Sequence, residues 1–309
     1  MTQWTHKSVL LKETADLLVT EPGGIYLDGT LGLGGHSEYL LRHKLSAEGR
    51  ILGIDWDCEA AELASAKLAG SASQIIIEHG SYTQAPEILE RHGIAGVSGA
   101  LFDLGLSSYQ LENPAKGFSF MHDGPLDMRY NTGTGKTAAE LLNTADYDEL
   151  VRILEEYGEE RFAARIADKI VDRRAETPFA STAELRNLVR NAVPRHGRIH
   201  PATKTFQALR IAVNAELENV VSALAMLDGI LLSGGRAAFI TFHSTEDRIV
   251  KYGLRGLAEK HGWKLLTKKA VKPSRAEILE NPRSRSAKLR VIEKLDYRQS
   301  AAKPYADEF

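Results

Sequence analysis

The sequence predicts an α/β fold, a doubly wound and mostly parallel sheet with a helical domain inserted into it. Three observations carry this. Short apolar runs end in acids at Asp28, Asp55 and Asp103. A glycine-rich turn, Gly29 to Gly35, follows the first run and leads into a helical segment, the strand–turn–helix of a nucleotide-type site. From Ala138 to about Val193 the apolar spacing becomes helical, with no strand signal.

Taken in order, Ser8 to Val19 reads as a short helix, with apolar residues at Val9, Leu10, Ala15, Leu17 and Leu18. The first strand is Ile25 to Asp28, and the segment after the turn, Glu38 to Leu45, is helical. Spacing tests the turn. A phosphate-binding Walker loop needs a lysine followed by serine or threonine, which is missing. A dinucleotide fingerprint counted from Gly32 needs a third glycine where Ser37 stands. A pyrophosphate ligand is therefore disfavoured.

The second strand, Arg50 to Asp55, places an acid 20 residues after Gly35. An acid there can accept both hydroxyls of a ribose. A glycine turn without the third phosphate-site glycine, plus a ribose acid, suits an adenosine without pyrophosphate; S-adenosylmethionine is the common one. The plain alternative for Asp55 is a cap on the helix predicted over Asp57 to Leu68.

The third strand is Ile75 to Glu78, and Tyr82 follows it, where it reads equally as a ring against an adenine or as an ordinary loop aromatic. The fourth, Gly99 to Asp103, brings a third acid to the same rim. The sequence Gly105-Leu-Ser-Ser-Tyr109 ends in tyrosine where a nucleophile elbow needs glycine, which argues against an α/β hydrolase. Gly117 to Thr137 is loop-like, and Gly133 to Thr137 imitates a Walker loop without its strand or first glycine. In the helical stretch, Leu150, Ile153, Leu154 and Tyr157 share one face, and Thr182 to Val193 is a further helix stopped by Pro194. Residues 113–207 are expected to form the insertion, with 1–112 and 208–309 forming the sheet domain. A long helix then runs to Leu227, and strand five is Gly234 to Phe242, ending at His243-Ser244. That pair reads more readily as a cap than as a dyad. Strands six and seven are Trp263 to Thr267 and Lys288 to Lys294. Pro273 and Pro282 predict irregular chain in the basic loop between them.

Composition bounds the function. The hydrophobic fraction of 43% is ordinary for a globular chain. A single cysteine, Cys58, excludes an internal disulfide and an all-cysteine zinc site. Met1 to Lys12 is polar, with no apolar signal region, so a cytoplasmic protein is expected. The net charge of −2 hides an excess of nine positive charges from Arg248 to Phe309, 16 Lys/Arg against 7 Asp/Glu. That suggests a polyanionic partner such as RNA, although a solvated charged face gives the same count.

Six motifs follow one another: Asp28-Gly-Thr-Leu-Gly-Leu-Gly-Gly-His-Ser37, Asp103-Leu-Gly-Leu-Ser-Ser-Tyr-Gln-Leu111, Gly124-Pro-Leu-Asp-Met-Arg129, Phe206-Gln-Ala-Leu-Arg-Ile-Ala-Val-Asn214, Phe242-His-Ser-Thr-Glu-Asp-Arg248 and Arg283-Ser-Arg-Ser-Ala-Lys-Leu-Arg290. Through them the chain resembles the bacterial MraW-type methyltransferases of small-subunit ribosomal RNA, from about His6 to Lys294. The resemblance implies a Rossmann-like class I methyltransferase sheet with an inserted helical domain for substrate recognition. It implies methylation of the N4 amine of a cytosine in the decoding centre of 16S ribosomal RNA, with S-adenosylmethionine as donor. It also implies cofactor contacts at Gly34, Gly35, His36, Asp55, Tyr82, Asp103 and Gln110. The family more often has phenylalanine at Tyr82, proline at Tyr109 and leucine at Thr245. Asp103 or a loop carbonyl near it is the candidate acceptor of the N4 proton, with Ser107 second, and the residues alone do not separate this role of Asp103 from the cofactor contact that the resemblance implies. Arg283, Arg285, Lys288 and His243 are candidate RNA contacts. Two other classes stay open from the residues alone: an NAD-dependent oxidoreductase, disfavoured by Ser37, and a non-catalytic RNA-binding protein, which would need neither the rim acids nor the glycine turn.

Overall fold

The structure is a computed structural model that describes residues 7–194 and 200–296. His6, where the family resemblance begins, and the last residues of the basic C-terminal segment lie outside the described residues. So do the first six residues of the polar N-terminal stretch and positions 195–199 of the insertion.

The chain begins with α1 (Leu11–Leu18), β1 (Ile25–Asp28), α2 (Gly35–His43), β2 (Arg50–Asp55), α3 (Cys58–Lys67), β3 (Ile75–His79), α4 (Ala85–Arg91) and β4 (Val97–Asp103). Helices follow: α5 (Ser108–Glu112), α6 (Ala138–Thr144), α7 (Tyr147–Glu156), α8 (Ala163–Glu176), α9 (Thr182–Ala192), α10 (Ala202–Asn214) and α11 (Glu216–Ile230). The chain then adds β5 (Leu231–Thr241), α12 (Ser244–Ala258), β6 (Trp263–Leu265), α13 (Arg275–Glu280) and β7 (Lys288–Lys294).

The seven strands form one sheet in the order β3-β2-β1-β4-β5-β7-β6. The first five are parallel, and β7 runs antiparallel to both β5 and β6. Alternation along the central strands feeds two cores. Leu27, Leu52, Phe102 and Phe239 face one layer with α11 residues Val220, Leu224 and Leu227. Tyr26, Ile51, Leu101 and Ala238 face the other, with Leu18 of α1 and Leu40 of α2. A sheet covered on both faces gives the near-continuous apolar runs that the sequence displays. The strand order reverses between β1 and β4, so the loops after these two strands diverge and leave a crevice at their carboxyl ends.

The described residues divide into two compact units, one of 7–105 with 217–296 and the other of 106–194 with 200–216. Among them, the second unit contributes no strand to the sheet. Its core is built from Leu142, Leu150, Ile153, Leu154, Ile166, Ile170, Leu185, Val189, Phe206 and Leu209. Thr137, Asp146 and Ser181 cap α6, α7 and α9. The division falls at 105/106 and 216/217 rather than 112/113 and 207/208. Leu106 packs against the helical core, and α10 continues past 207 with its Ala208 and Leu209 buried there.

Two expectations are corrected. The long helix to Leu227 is broken into α10 and α11 at Ala215, which has a left-handed backbone with φ 48°. Asn214 spends its side chain at the break. Its amide donates to the carbonyls of Met128 (2.7 Å) and Arg210 (2.9 Å), and its Oδ1 accepts from Tyr130 N (2.8 Å). The basic loop is not irregular: it holds α13 and a 3-10 turn over Pro282–Ser286. Pro282 occupies the first turn position, where its missing N–H costs nothing, and Ser274, next after Pro273, caps α13. None of the described helices is long and apolar enough to cross a membrane.

Candidate active site

The glycine turn is held by its own backbone. Gly34 caps α2 at φ 70°, and a Cβ there would lie 2.7 Å from Leu68 Cδ1. Gly34 N donates to Leu31 O, and Leu31 N donates to Ile54 O. Gly35 and His36 open α2, whose first N–H groups have no carbonyl within the helix to bond.

The three aspartates do different things. Asp28 is a brace. Its carboxylate accepts from Ser37 Oγ (2.7 Å) and Thr30 N (3.4 Å), and burial raises its pKa. Ser37, the residue that breaks the dinucleotide fingerprint, is therefore the partner of the acid at the end of β1. Asp55 closes the turn onto β2. Its Oδ2 accepts from Gly32 N (2.6 Å) and its Oδ1 from Asp57 N (2.8 Å). The cap of α3 is Asp57, not Asp55. Desolvation pushes the Asp55 carboxyl up to about 7 against the pull of those two N–H groups.

Asp103 is the incomplete one. Thr30 Oγ1 accepts from its backbone N at 2.6 Å, which fixes the main chain. Its Oδ2 lies 3.4 Å from Nε2 of the buried His36. Its Oδ1 and that same Nε2 are buried and make no hydrogen bond. A buried polar group left so costs about 1–3 kcal/mol, so the pair marks a place for a ligand's polar atoms. Nearby, Tyr82 sets its ring edge-on to Phe102 at 5.5 Å. A Cβ on Gly29 would come within 2.8 Å of the Phe102 ring, so the backbone there must be glycine.

These residues fit S-adenosylmethionine: backbone N–H groups at a glycine turn, an acid for a ribose, an aromatic ring for an adenine, and an unsatisfied carboxylate for a cationic centre. The structure brings Gly34, Gly35, His36, Asp55, Tyr82 and Asp103 to the carboxyl edge of one sheet, in one unit.

The remaining candidates are placed differently. Gln110 and Ser107 belong to the helical unit and cap α5 reciprocally. Ser107 N donates to Gln110 Oε1 (3.1 Å), and Gln110 N donates to Ser107 Oγ (3.2 Å). Ser107, the second candidate proton acceptor, is thus a helix cap. His243 caps α12, with Nε2 3.0 Å from Glu246 Oε2. Lys288 is tied to Asp247 at 2.8 Å, and Arg290 grips the same carboxylate through two nitrogens. Burial, the largest single influence, raises the Asp247 carboxyl, but the two cations together outweigh it and hold the carboxyl below its ordinary pKa. Arg283 and Arg285 are exposed. Sequence reasoning missed this Asp247 cluster and the Ser37–Asp28 brace. No local motif announces a pair that meets across 41 or more positions, such as Lys288–Asp247.

The chain is similar to known proteins over nearly its whole length. The sequence profile of the MraW methylase family matches residues 3–295. The ribosomal RNA small subunit methyltransferase H of Elusimicrobium minutum is 47% identical over 297 residues, covering 96% of this chain and all of that one. The protein of the same name from Geobacter sp. strain M21 is 44% identical over 313 residues, with the same shares. Among solved structures, Aeropyrum pernix fibrillarin in complex with natively bound S-adenosyl-L-methionine is 12% identical, with a TM-score of 0.41 over 91% of this chain and 74% of that one. The profile spans both units, with the glycine turn and all three rim aspartates inside it, and the chain belongs to the MraW methylase family.

Proposed function

We propose that this methyltransferase transfers a methyl group from S-adenosylmethionine to the N4 amine of a cytosine in the decoding centre of 16S ribosomal RNA, in the cytoplasm. The observation that carries the reading is the unpartnered Oδ1 of Asp103 beside the switch point of the sheet.

S-adenosylmethionine supplies an electrophilic methyl group on a sulfonium. The chain's part is to hold that group in line with a nucleophile at near-attack distance. Asp55 accepts the ribose hydroxyls, Tyr82 covers the adenine, and the turn at Gly34 and Gly35 lets the backbone come close. Cytosine N4 is a poor nucleophile because its lone pair is delocalised into the ring. An acceptor aimed at N4–H favours the pyramidal form that attacks. Asp103 Oδ1 would be that acceptor: it would take the N4 proton, leaving the N–H electron pair on nitrogen, as the methyl–sulfur bond of the donor gives its pair to sulfur and S-adenosylhomocysteine departs.

The target base must leave its stack, at a cost of a few kcal/mol. Phosphate contacts offset that cost. Arg283 and Arg285, exposed on the 3-10 turn before β7, supply some of them, and the helical unit recognises the substrate. Lys288 is left out of this role because Asp247 holds it.

The test is direct. Incubation with methyl-labelled S-adenosylmethionine and either free ribosomal RNA or small subunits, followed by mapping, should place the label on one cytosine N4. Label elsewhere, or none on either substrate, overturns the reading.

A further inference from the structure

We infer that Phe120, Met121 and His122 of the helical unit form a platform on which an unpaired nucleotide of RNA stacks, with Arg186 and Arg190 facing its phosphates. The inference rests on RNA being the substrate, as proposed above, and adds a binding site to it.

Met121 is 70% exposed. Its loop is nonetheless pinned, just after Met121, to the start of α9. Gly124 N donates to Thr182 Oγ1 (3.1 Å), and Thr182 N returns a bond to Gly124 O (2.9 Å). Thr182 Oγ1 donates to His122 O (3.1 Å), and Ala183 N to Asp123 Oδ1 (3.0 Å). Pro125 makes an isolated bridge with Ser181. Beside this fixed segment the fold presents an apolar side chain to water.

The ring beside it is equally fixed. Phe120 stacks on His200, with centroids 4.7 Å apart and planes 25° from parallel, and meets Phe206 edge-on at 5.1 Å. His200 is itself held, its Nδ1 accepting from Ala202 N (3.2 Å). Arg186 donates to Phe120 O at 3.1 Å, and Arg190, one turn further along α9, is exposed.

The chemistry of the patch selects the partner. Its apolar part is the exposed Met121 side chain beside the half-buried Phe120 ring, far short of the core of a stable protein interface. A thioether, an aromatic ring and an imidazole flanked by two guanidiniums suit a base with its phosphates. Two acids lie close, Asp123 and Glu184. Both accept from backbone N–H groups at the α9 N-terminus, where the helix dipole offsets their charge.

Two exposed positions make the test independent of folding. Met121→Glu should weaken binding of a 16S RNA fragment by about 5- to 100-fold, the range expected for loss of one stacked base, and Arg190→Glu should weaken it through loss of a phosphate contact. Arg190→Glu should also flatten the salt dependence by about one contact. Melting temperature and S-adenosylhomocysteine affinity should not move. If the wild-type protein binds neither RNA nor small subunits, the proposed substrate is wrong. If it binds and both variants bind equally well, the platform is wrong and the substrate stands. Loss of binding to subunits with unchanged binding to naked RNA also overturns the platform, because the contact is then to a ribosomal protein.

Discussion

Nε2 of His36 and Oδ2 of Asp103 face one another across 3.4 Å, with side chains 8% and 15% exposed. The two groups approach without a hydrogen bond, and both the imidazole Nε2 and the carboxylate Oδ1 are buried without a partner. Asp103→Asn keeps the shape and removes the proton acceptor. We expect kcat to fall on the order of 10²-fold or more, the usual contribution of general-base catalysis. Single-turnover methyl transfer with saturating donor measures it. A rise in the donor's KM with kcat preserved would make Asp103 a cofactor ligand only.

Asp55 predicts a pH dependence. Its carboxyl is raised from 3.8 to about 7 by burial. The carboxylate form, the one proposed to accept the ribose hydroxyls, therefore becomes populated as pH passes about 7. S-adenosylhomocysteine should bind more tightly at about pH 8 than at about pH 6, and Asp55→Asn should flatten that profile. Stability moves the other way. Between 3.8 and about 7 the folded state holds a proton that the unfolded state has lost, so Asp55's contribution to stability declines as pH rises through that window. Asp55→Ala should weaken the ligand by ~1.5–3 kcal/mol, read by calorimetry. Unchanged affinity would leave Asp55 a purely structural link between Gly32 and Asp57.

Ser37→Ala removes the 2.7 Å donor to buried Asp28 Oδ2. It should cost about 1–3 kcal/mol of stability, seen as a lower melting temperature. Ser37→Gly, which restores the third glycine of a dinucleotide fingerprint, should cost at least as much and gain no NAD binding. Wild-type stability in both variants would show that Asp28 does not need the brace.

Arg283→Ala with Arg285→Ala should weaken RNA binding and reduce its salt slope by about one to two contacts, each worth about 0.7–0.9 in the slope. Cofactor affinity should hold, because neither residue is a rim position. If the double variant instead loses thermal stability and cofactor binding with an unchanged salt slope, the arginines fasten the loop and do not touch RNA.

Much of the sheet is legible in the sequence because its strands are buried on both faces. β1, β2 and β7 have the bounds that their apolar runs predict. The rim acids are legible because each ends such a run. Their division of labour is not. Asp28, Asp55 and Asp103 look alike in sequence, and only the placement of Ser37, Gly32 and His36 makes one a brace, one a clasp and one an open acceptor. The break at Ala215 is hidden for a similar reason. Alanine is the best helix former, and the φ of 48° comes with side-chain bonds from Asn214 to Met128 and Tyr130, more than 80 positions away. Pro282 misled in the opposite sense, since proline stops a helix from inside but begins one readily.

The helical insertion also sets a kinetic order on the sheet. Leu231 begins β5 128 positions after Asp103 ends β4, whereas β2 begins 22 positions after β1 ends. Closing a loop costs roughly (3/2)RT ln n, about 4 kcal/mol for the first and about 3 kcal/mol for the second. The β4–β5 ladder is the dearer of the two to nucleate in a bare chain. An insertion that has already collapsed around its own core takes most of the free links out of that loop and lowers the entropic barrier. Asp103 lies opposite Ile240 of β5 in the register. The proposed proton acceptor is thus seated by the pairing that an early collapse of the insertion's own core would ease most.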